Sequence, residues 1–432
     1  MWETLKNAWR IKDIRNKLLY TFGMLLLFRL VGVIPTPGVN PEAVSKALAS
    51  VDVLNLVDMM TGGNLSQATI MAMGITPYIN ASIIIQLLCV AIPALERLSK
   101  DGGEEGRKKI NQITRYVTVG LAILQSVGII MALQRMTDNE GMKVLKDGYN
   151  TFWGYALISL VMAAGTSLAV WIGERITAKG IGNGVSLLIF VGIVSNLFNG
   201  ILRAISGLFG GQGQYLDDVI IMIVTTVVII VLVTFVDMAE RRIQIQYAKR
   251  VVGRKMYGGQ STHIPMKLLA VGVLPLIFAY SFMAFPGTIM AMVPALAKSG
   301  AYAWWQANMN QQSWLYALIC ALLIIGFSYF YSAISFNPED ISKNVQQQGG
   351  HIPGVRPGTA TTMYLQRTSK RLTLFAALFL ALLATLPTFL WRTVNVTVPF
   401  GASSILIAVQ VALETLRQLE GQMTMRHYKG FL

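Results

Sequence analysis

The chain has 432 residues, of which 54% are hydrophobic and 13% are charged, and its mean hydropathy is +0.54. Repeated apolar runs of about 20 residues exclude a soluble globular protein and predict an all-α polytopic membrane protein. The formal net charge of +15 would suit a nucleic-acid partner, but its distribution along the chain favours a topological role. Cys89 and Cys320 both lie in apolar runs, so the sequence predicts neither a disulfide framework nor a metal site.

The apolar runs predict ten transmembrane helices, at about 18–34, 70–92, 116–134, 151–172, 184–202, 218–236, 268–290, 313–335, 372–390 and 403–420. The first run follows five basic residues, as a secretory signal would. Arg29 interrupts it, however, and no small-x-small cleavage site follows, so we expect a retained first span. Because a charged side chain is costly in lipid, Arg29 is expected to point inward or to snorkel along its helix.

The basic residues predict the orientation of the chain. An even number of spans puts both termini on the same side of the membrane. Most of the 36 Lys and Arg residues fall in the N-terminus, in the loops after spans two, four, six and eight, and in the C-terminal tail, whereas the opposite loops hold seven. The positive-inside rule therefore places both termini in the cytoplasm.

Residues 51–92 contain a hydrophobic segment that is broken in the middle. The first piece begins at Asp52, a suitable N-cap, and ends at Gly62-Gly63. At roughly 10 residues, or about 15 Å of helix, it is too short to cross a hydrocarbon core of about 30 Å. In the second piece Thr76 is a candidate N-cap and Pro77 a candidate first helical residue. Irregular backbone at membrane depth requires burial in protein or a water-filled cavity. A functional half-helix and a re-entrant loop that only packs both remain open.

Two pairs of similar short motifs predict an inverted repeat. The pattern G-[IV]-x-P-x-I occurs at residues 74–79 in span two and at 272–277 in span seven. Similarly, SLLI at 186–189 in span five corresponds to SILI at 404–407 in span ten. Both pairs divide the chain into two halves of five spans, and halves with an odd number of spans have opposite orientations. We therefore predict an N-terminal half, 1–202, and a C-terminal half, 203–432, with a path between them.

Two long loops on the cytoplasmic side are rich in basic residues. Residues 237–267 show a strand-like alternation around Ile243, Ile245 and Tyr247, and residues 336–371 contain Pro and Gly turn signals around Arg356. Such loops suggest a docking surface for a partner. The alternative is that their charge only enforces the topology.

The sequence contains no recognisable catalytic constellation. The patterns H-E-x-x-H, Walker A and G-x-S-x-G are absent, and His263, His351 and His427 all lie in polar stretches. Residues 180–184, GIGNG, resemble a phosphate-binding loop, but they follow no predicted strand and favour a flexible helix start. We therefore expect no enzymatic activity, no cofactor and no nucleotide binding.

The predicted spans also lack the carboxylates that carry ions in secondary transporters. Glu174, Asp237 and Glu414 lie at or near span ends. Aliphatic residues beside the repeated prolines narrow a path without offering a binding site, and such a constriction seals by dewetting. This favours a channel for something large and chemically varied. A secondary transporter with a five-plus-five inverted repeat is the alternative, and an intramembrane hydrolase is a third.

Four stretches of the sequence closely resemble the SecY family, the channel subunits of the bacterial Sec protein-secretion translocon. They are AMGITPYINASIIIQLL (72–88), GIGNGVSLLIF (180–190), QSTHIPMK (260–267) and GGHIPGVRPG (349–358). The resemblance covers essentially the whole chain. It implies a protein-conducting channel that translocates unfolded secretory proteins and releases membrane segments sideways into lipid.

The resemblance also implies roles for particular residues. The half-helix near 53–65 corresponds to the plug, with these residues: Val53, Leu54, Leu56, Val57, Met60, Gly62 and Gly63. The family's pore ring falls on Ile75, Ile79, Val185, Ile189, Ile277 and Ile407, of which Val185 departs from the usual residue. Spans two and three against seven and eight correspond to the lateral gate, where Asn80 and Gln125 are candidate polar residues. Ordinary interhelical hydrogen bonding is the alternative for these two.

The partners implied by the resemblance are SecE, SecG, the motor ATPase SecA and the ribosome, together with secretory preproteins, their signal sequences and the lipid bilayer. SecA and the ribosome are expected at the two long loops, through Arg242, Arg254 and Arg356. Gln346 and Gln347 stand where many relatives have a lysine pair, which reduces the docking charge there. The implied location is the bacterial cytoplasmic membrane.

Overall fold

The structure, a computed structural model, describes residues 6, 8–49, 58, 61–100, 102–138, 143–146, 148–209, 215–247, 250–252, 255–257, 261–270, 272–292, 299–310, 313–394 and 402–429. Within these residues the chain forms fourteen helices and five short strands. The fold is therefore helical with a small β portion, as the alternation in residues 237–267 suggested.

Seven helices lie in the predicted N-terminal half. They are α1 (Lys12–Val31), α2 (Pro41–Ala49), α3 (Thr76–Ala91), α4 (Pro93–Lys100), α5 (Gly103–Asp138), α6 (Phe152–Lys179) and α7 (Gly184–Phe209). The chain bends by 108° between α3 and α4. Ile92 and Pro93 mark this bend, since Pro93 cannot continue the hydrogen bonding of α3.

The other seven helices lie in the predicted C-terminal half. They are α8 (Tyr215–Met238), α9 (Leu274–Met292), α10 (Gly300–Asn308), α11 (Trp314–Ser335), α12 (Pro338–Gln347), α13 (Thr359–Val394) and α14 (Ala402–Lys429). Each of the ten predicted spans coincides with a helix: α1, α3, α5, α6, α7, α8, α9, α11, α13 or α14.

Within the described residues, four helical stretches are long and apolar enough to cross a membrane: Gly103–Met131, Phe152–Lys179, Trp314–Gln347 and Thr359–Leu386. The bent pair of α3 and α4 makes a fifth if it counts as one span. Large apolar side chains are exposed on the outer faces of several helices, as with Phe235 and Val231 of α8 and Leu382 of α13. An apolar exterior of this kind suits lipid rather than water. The chain is thus a multi-pass membrane protein, whereas the count of ten spans stays a prediction.

Three large hydrophobic clusters hold the helices together, and a smaller one joins Ile14 of α1 to Leu419 of α14. One belongs to residues of the predicted N-terminal half and another mainly to the C-terminal half. The third, which we call the central cluster, draws residues from both halves, including Ile79, Ile189, Ile277 and Ile407. The two halves therefore meet in an apolar core, which is where the predicted path should lie.

The two long loops form one structural unit. Strand β1 (Glu240–Tyr247) pairs antiparallel with β4 (Ser261–Lys267) and with β5 (Gly350–His351), so the sheet order is β4-β1-β5. Strands β2 (Arg250–Val252) and β3 (Lys255–Tyr257) form a separate hairpin. Beneath the three-stranded sheet, Ile243, Met266, Ile352 and Leu365 pack into one buried cluster. The loops that the sequence separates by about 70 residues thus build a single surface.

Candidate functional site

The two G-[IV]-x-P-x-I motifs adopt the same local geometry. Gly74 has φ +50° and Gly272 has φ +66°, both in the left-handed region that favours glycine. The helix begins two residues later in each case, at Thr76 or Leu274, so that proline is its second residue. Proline is tolerated there because the first N–H groups of a helix have no intrahelical acceptor. The predicted assignment of Thr76 as the cap was wrong by one residue, since Ile75 occupies the cap position and makes no side-chain capping bond.

The second pair of similar motifs, SLLI and SILI, also occupies equivalent positions in two helices. Ser186 and Ile189 are the third and sixth residues of α7, and Ser404 and Ile407 hold the same positions in α14. Asn183 caps α7, because its Oδ1 accepts hydrogen bonds from the backbone N–H groups of Val185 (3.1 Å) and Ser186 (3.4 Å). The predicted helix start at GIGNG is confirmed, but a capped turn is more constrained than the flexible start we expected.

The structure brings all six predicted ring residues together. Five of them, the isoleucines, belong to the central cluster and are between 5% and 9% exposed, and Val185 packs against that cluster. They come from four helices and from the turn before α3. An aliphatic collar with no charged or hydrogen-bonding side chain offers water no replacement for the hydrogen bonds that it loses on entering.

A large open cavity of about 800 Å³ lies against one side of this collar. Ile79, Val185, Ile189 and Ile277 line its apolar end, and the rest of its lining includes polar side chains of α3, α5, α6 and α7. A second cavity of about 10 Å³ touches the collar at Ile75, Ile79 and Ile189. It holds about one water at most. Ile79 and Ile189 line both cavities, so the collar lies between the wide cavity and the small one.

The polar wall of the wide cavity, which the sequence analysis missed, carries a bidentate ion pair. Arg115 of α5 donates from Nε to Oε1 of Glu174 in α6 (2.8 Å) and from Nη2 to Oε2 (2.7 Å). Beside it, the guanidinium of Arg175 lies over the ring of Trp171 at 5.4 Å from the centroid. The only sequence signal was that these charges stand at the same end of two consecutive spans.

The chain enters α3 through an irregular segment, residues 61–75, that is enclosed by protein. Leu65, Met71 and Ala72 are almost fully buried. Backbone hydrogen bonds tie the segment to the turn after α1, from Thr36 N to Ala68 O (2.8 Å) and from Ile70 N to Ile34 O (3.0 Å). The predicted break in this span is therefore real, and its backbone groups are satisfied inside the protein, as membrane depth requires.

Of the predicted plug residues, only Gly62 and Gly63 lie within the described residues, and Val53, Leu54, Leu56, Val57 and Met60 lie outside them. Gly62 and Gly63 have φ +79° and +84°. A Cβ on Gly62 would lie 2.8 Å from the Cα of Gly192 in α7. The glycine pair thus lets the chain turn sharply while it touches the backbone of α7.

Arg29 points inward and joins this glycine turn to α7. Its Nη1 donates to the carbonyl of Gly62 (3.3 Å) and its Nη2 to the carbonyl of Val191 (2.8 Å). Asn196 of α7 adds a bond from Nδ2 to the carbonyl of Asp58 (3.3 Å). Two side chains therefore hold the end of the predicted half-helix against α7.

At the predicted lateral gate, α9 packs against α5 and α3. The side-chain oxygens of Asn80 in α3 and Gln125 in α5 are buried and accept no hydrogen bond within the described residues. A buried polar group without a partner typically costs about 1–3 kcal/mol. The alternative of ordinary interhelical hydrogen bonding is thus not observed for either oxygen.

The predicted docking residues lie on the three-stranded sheet and the turn that follows it. Arg242 of β1 is exposed and donates from Nε to Oε1 of Glu240 (2.7 Å). Arg356 is exposed five residues after β5, and its carbonyl accepts a bond from Thr361 Oγ1 (2.9 Å). Arg254 lies outside the described residues. Gln346 and Gln347 are exposed at the end of α12.

The sequence pattern of the SecY family matches residues 69–416, most of the chain. The chain belongs to the SecY family. The protein translocase subunit SecY of Thermotoga maritima is 39% identical to it over 100% of this chain and 98% of that protein. The SecY subunit of Halalkalibacterium halodurans is 40% identical over the full length of both.

Solved structures of SecY-like channels share the fold. A structure described as that of a protein-conducting channel has a TM-score of 0.69 at 19% identity, and the match covers 94% of this chain and 92% of the other. A second, on how the plug domain of SecY stabilises the closed channel, has a TM-score of 0.66 at 19% identity with the same coverage. Canine Sec61 in its ribosome–channel complex gives 0.64 at 17% identity, again over 94% and 92% of the two chains.

Proposed function

We propose that this chain is a protein-conducting channel that translocates unfolded secretory proteins across the bacterial cytoplasmic membrane and releases membrane-protein segments laterally into it. The observation that carries the proposal is the convergence of six aliphatic residues, drawn from both halves of a SecY-family chain, in one buried cluster, where four of them line one end of a cavity of about 800 Å³. The N-terminal half, 1–202, and the C-terminal half, 203–432, form the two sides of the pore.

The aliphatic collar is the pore ring, and its chemistry explains how one opening passes polypeptide but not ions. Ions and small polar solutes must shed water to enter and receive no hydrogen bond in return. An unfolded chain displaces the deformable side chains and makes few specific contacts with them. The half-helix before Gly62-Gly63 is the plug, and Arg29 and Asn196 hold its end against α7.

Lateral release takes place between α3 and α5 on one side and α9 and α11 on the other. A signal helix at this seam gains roughly 25 cal/mol for each Å² of apolar surface that passes into lipid. The buried side-chain oxygens of Asn80 and Gln125 accept no hydrogen bond from the described residues, so their desolvation makes the closed seam less stable. These two residues thereby lower the free energy needed to part the helices.

The three-stranded sheet and the turn around Arg356 form the docking surface for SecA or the ribosome, which supplies the driving force. SecE and SecG complete the membrane complex. Both termini and this surface face the cytoplasm, in agreement with the distribution of basic residues. The channel role of the family supports a protein that transports without bond chemistry of its own.

Reconstitution tests this function directly. The chain, incorporated into liposomes with SecE, SecG, SecA and ATP, is expected to move a preprotein into a protease-protected lumen. Arg356→Glu should lower SecA-driven transport by about tenfold or more, because placing a like charge opposite a partner's charge costs several kcal/mol and each 1.4 kcal/mol is about tenfold in affinity.

Lys146→Glu is the matched control, since Lys146 is exposed on the predicted opposite side of the membrane. This variant should transport like the unmodified chain. Failure of the unmodified chain to protect any preprotein would overturn the proposed function. Normal transport by Arg356→Glu would overturn only the docking role.

A further inference from the structure

A buried carboxylate lies where the three-stranded sheet joins the membrane helices. Asp237 is in the last turn of α8, is 6% exposed, and precedes β1 by three residues. The carbonyl dipoles at the C-terminus of a helix disfavour an anion, and burial adds to that cost. A carboxylate at this position therefore needs specific partners.

The partners of Asp237 both come from α14. Gln410 donates from Nε2 to Oδ1 (3.2 Å), and Arg417 donates from Nη2 to Oδ2 (3.0 Å) and to the backbone carbonyl of Asp237 (3.1 Å). Gln410 is also buried, at 9% exposure. Both oxygens of the carboxylate are thus occupied by side chains of a single neighbouring helix.

The same helix carries a member of the pore ring. Ile407 precedes Gln410 by three residues, so the two lie one turn apart on neighbouring parts of α14. On the other side of Asp237, Leu268 N donates to Ala239 O (2.9 Å), which closes the base of the sheet. Asp237 therefore connects the base of the sheet, which follows it in the chain, with α14, the helix that carries Ile407, through its bonds to Gln410 and Arg417.

The sheet has a second connection to the ring through the chain itself. Strand β4 ends at Lys267, and α9, with Ile277 as its fourth residue, begins at Leu274. Two ring residues of the C-terminal half, Ile277 and Ile407, are thus linked to one sheet, the first covalently and the second through the buried network.

We propose that Asp237, Gln410 and Arg417 are positioning residues that couple movement of the docking sheet to the position of Ile407 in the ring. This inference rests on the proposed function. When a partner displaces the sheet, the base of β1 carries Asp237 with it, and the bonds to Gln410 and Arg417 draw α14 along. The ring then opens at Ile407 and Ile277 together. Without the network, the sheet still binds its partner but moves only α9.

The test separates binding from coupling. In reconstituted vesicles, Asp237→Asn and Arg417→Gln should each lower the amount of preprotein moved per ATP hydrolysed by about fivefold or more, the usual lower range of coupling between sites. The affinity of SecA for the vesicles should stay unchanged. The double variant should be no worse than either single variant, because both remove the same network.

Glu414→Gln is the matched control, since it removes an exposed carboxylate from α14 one turn before Arg417. It should leave the coupling ratio unchanged. Arg417→Gln serves as the second variant should Asp237→Asn fail to assemble, because it removes the Nη2 donor of both bonds. Arg417→Lys tests rescue, since an ammonium keeps the charge and can donate more than one hydrogen bond. Its coupling should fall between those of the unmodified chain and Arg417→Gln.

Two results would overturn the inference while the unmodified chain transports normally. One is an unchanged coupling ratio in Asp237→Asn or, if that variant does not assemble, in Arg417→Gln. The other is a fall in SecA affinity and thermal stability in proportion to the loss of transport, which a merely structural tie would produce. An unmodified chain that transports nothing would instead remove the proposed function on which the inference rests.

Discussion

The first turns of α3 and α9 have the same local structure, but different segments of the chain precede them. Each follows a left-handed glycine, has proline as its second residue and places a ring isoleucine, Ile79 or Ile277, at its fourth position. The chain reaches α3 through the buried segment 61–75, but it reaches α9 from β4, an edge strand of the sheet. The same helix start thus follows a buried irregular segment in one half and an edge strand of the sheet in the other.

The surroundings of the two glycines reflect this difference. A Cβ on Gly74 would lie 2.9 Å from Cγ2 of Thr61, whereas a Cβ on Gly272 would meet no described atom within 4 Å. Where a repeat is built into the protein interior, packing constrains the motif in addition to backbone conformation. Where the glycine is only partly buried and has open space beside it, as at Gly272, backbone conformation alone constrains the motif.

The largest expected effect is on stability at these two positions. Gly74→Ala should destabilise the protein by about 2–5 kcal/mol, because a left-handed non-glycine residue costs about 1–2 kcal/mol and overpacking adds about 1–3 kcal/mol. Gly272→Ala should cost only the first part, about 1–2 kcal/mol. Thermal unfolding of both variants in the same detergent measures the difference. Equal losses would show that the two starts are not packed differently.

Arg29→Gln should have the next largest effect, which is on ion leak. It changes contacts only in the N-terminal half, where the buried segment 61–75 lies. It removes two charge-assisted bonds to the carbonyls of Gly62 and Val191, each typically worth about 1.5–3 kcal/mol. If the open state does not make one of these bonds, losing it destabilises only the closed state. The open fraction, and with it the ion leak in planar bilayers, should then rise by about tenfold or more. Arg29→Lys keeps the charge but not the two-carbonyl geometry, and should give an intermediate leak.

A smaller effect should distinguish the two ring isoleucines. Ile79→Asn and Ile277→Asn both introduce a hydrogen-bonding group into the collar, so ion conductance should rise by several-fold, on the order of 1 kcal/mol. We expect the larger rise for Ile79→Asn, because Ile79 touches the cavities on both sides whereas Ile277 touches only the wide one. Unchanged conductance in both variants would contradict the assignment of the ring.

The smallest effect concerns the docking side alone. The pair of substitutions Gln346→Lys and Gln347→Lys adds two exposed positive charges beside the sheet. Surface charge acts mainly on association, so SecA should bind about two- to fivefold faster at low salt, with leak unchanged. Surface plasmon resonance at two salt concentrations measures this change. A faster rate that persists at high salt would not be electrostatic.

Much of this architecture could be predicted from local sequence. A helix lies at each of the ten apolar runs, and the repeated glycine and proline identified the paired starts of α3 and α9. Residues 53–60, the core of the predicted half-helix, lie mostly outside the described residues, so its helical form stays a prediction. Convergence of the six ring residues followed from the resemblance rather than from any spacing.

Contacts between distant residues could not be predicted. The alternation around Ile243 suggested a strand, but nothing local indicated that residues 350–351 would extend its sheet. Asp237 was noticed only as a charge at a span end, since Arg417 lies 180 residues further on. Arg29 was expected to point inward, yet its acceptors are backbone carbonyls, which carry no sequence signal. Helix position is encoded locally, whereas these pairings depend on the tertiary fold.

The direct contact between α6 and α7 has a consequence for how the pore can widen. A Cβ on Gly184 would lie 1.9 Å from the carbonyl oxygen of Gly173, so the two backbones already touch at the base of α7. At this end of α7, Val185 therefore cannot move toward α6 unless α6 moves with it. We expect widening of the proposed pore to come mainly from α3, α9 and α14, so that a translocating chain stays in contact with α7.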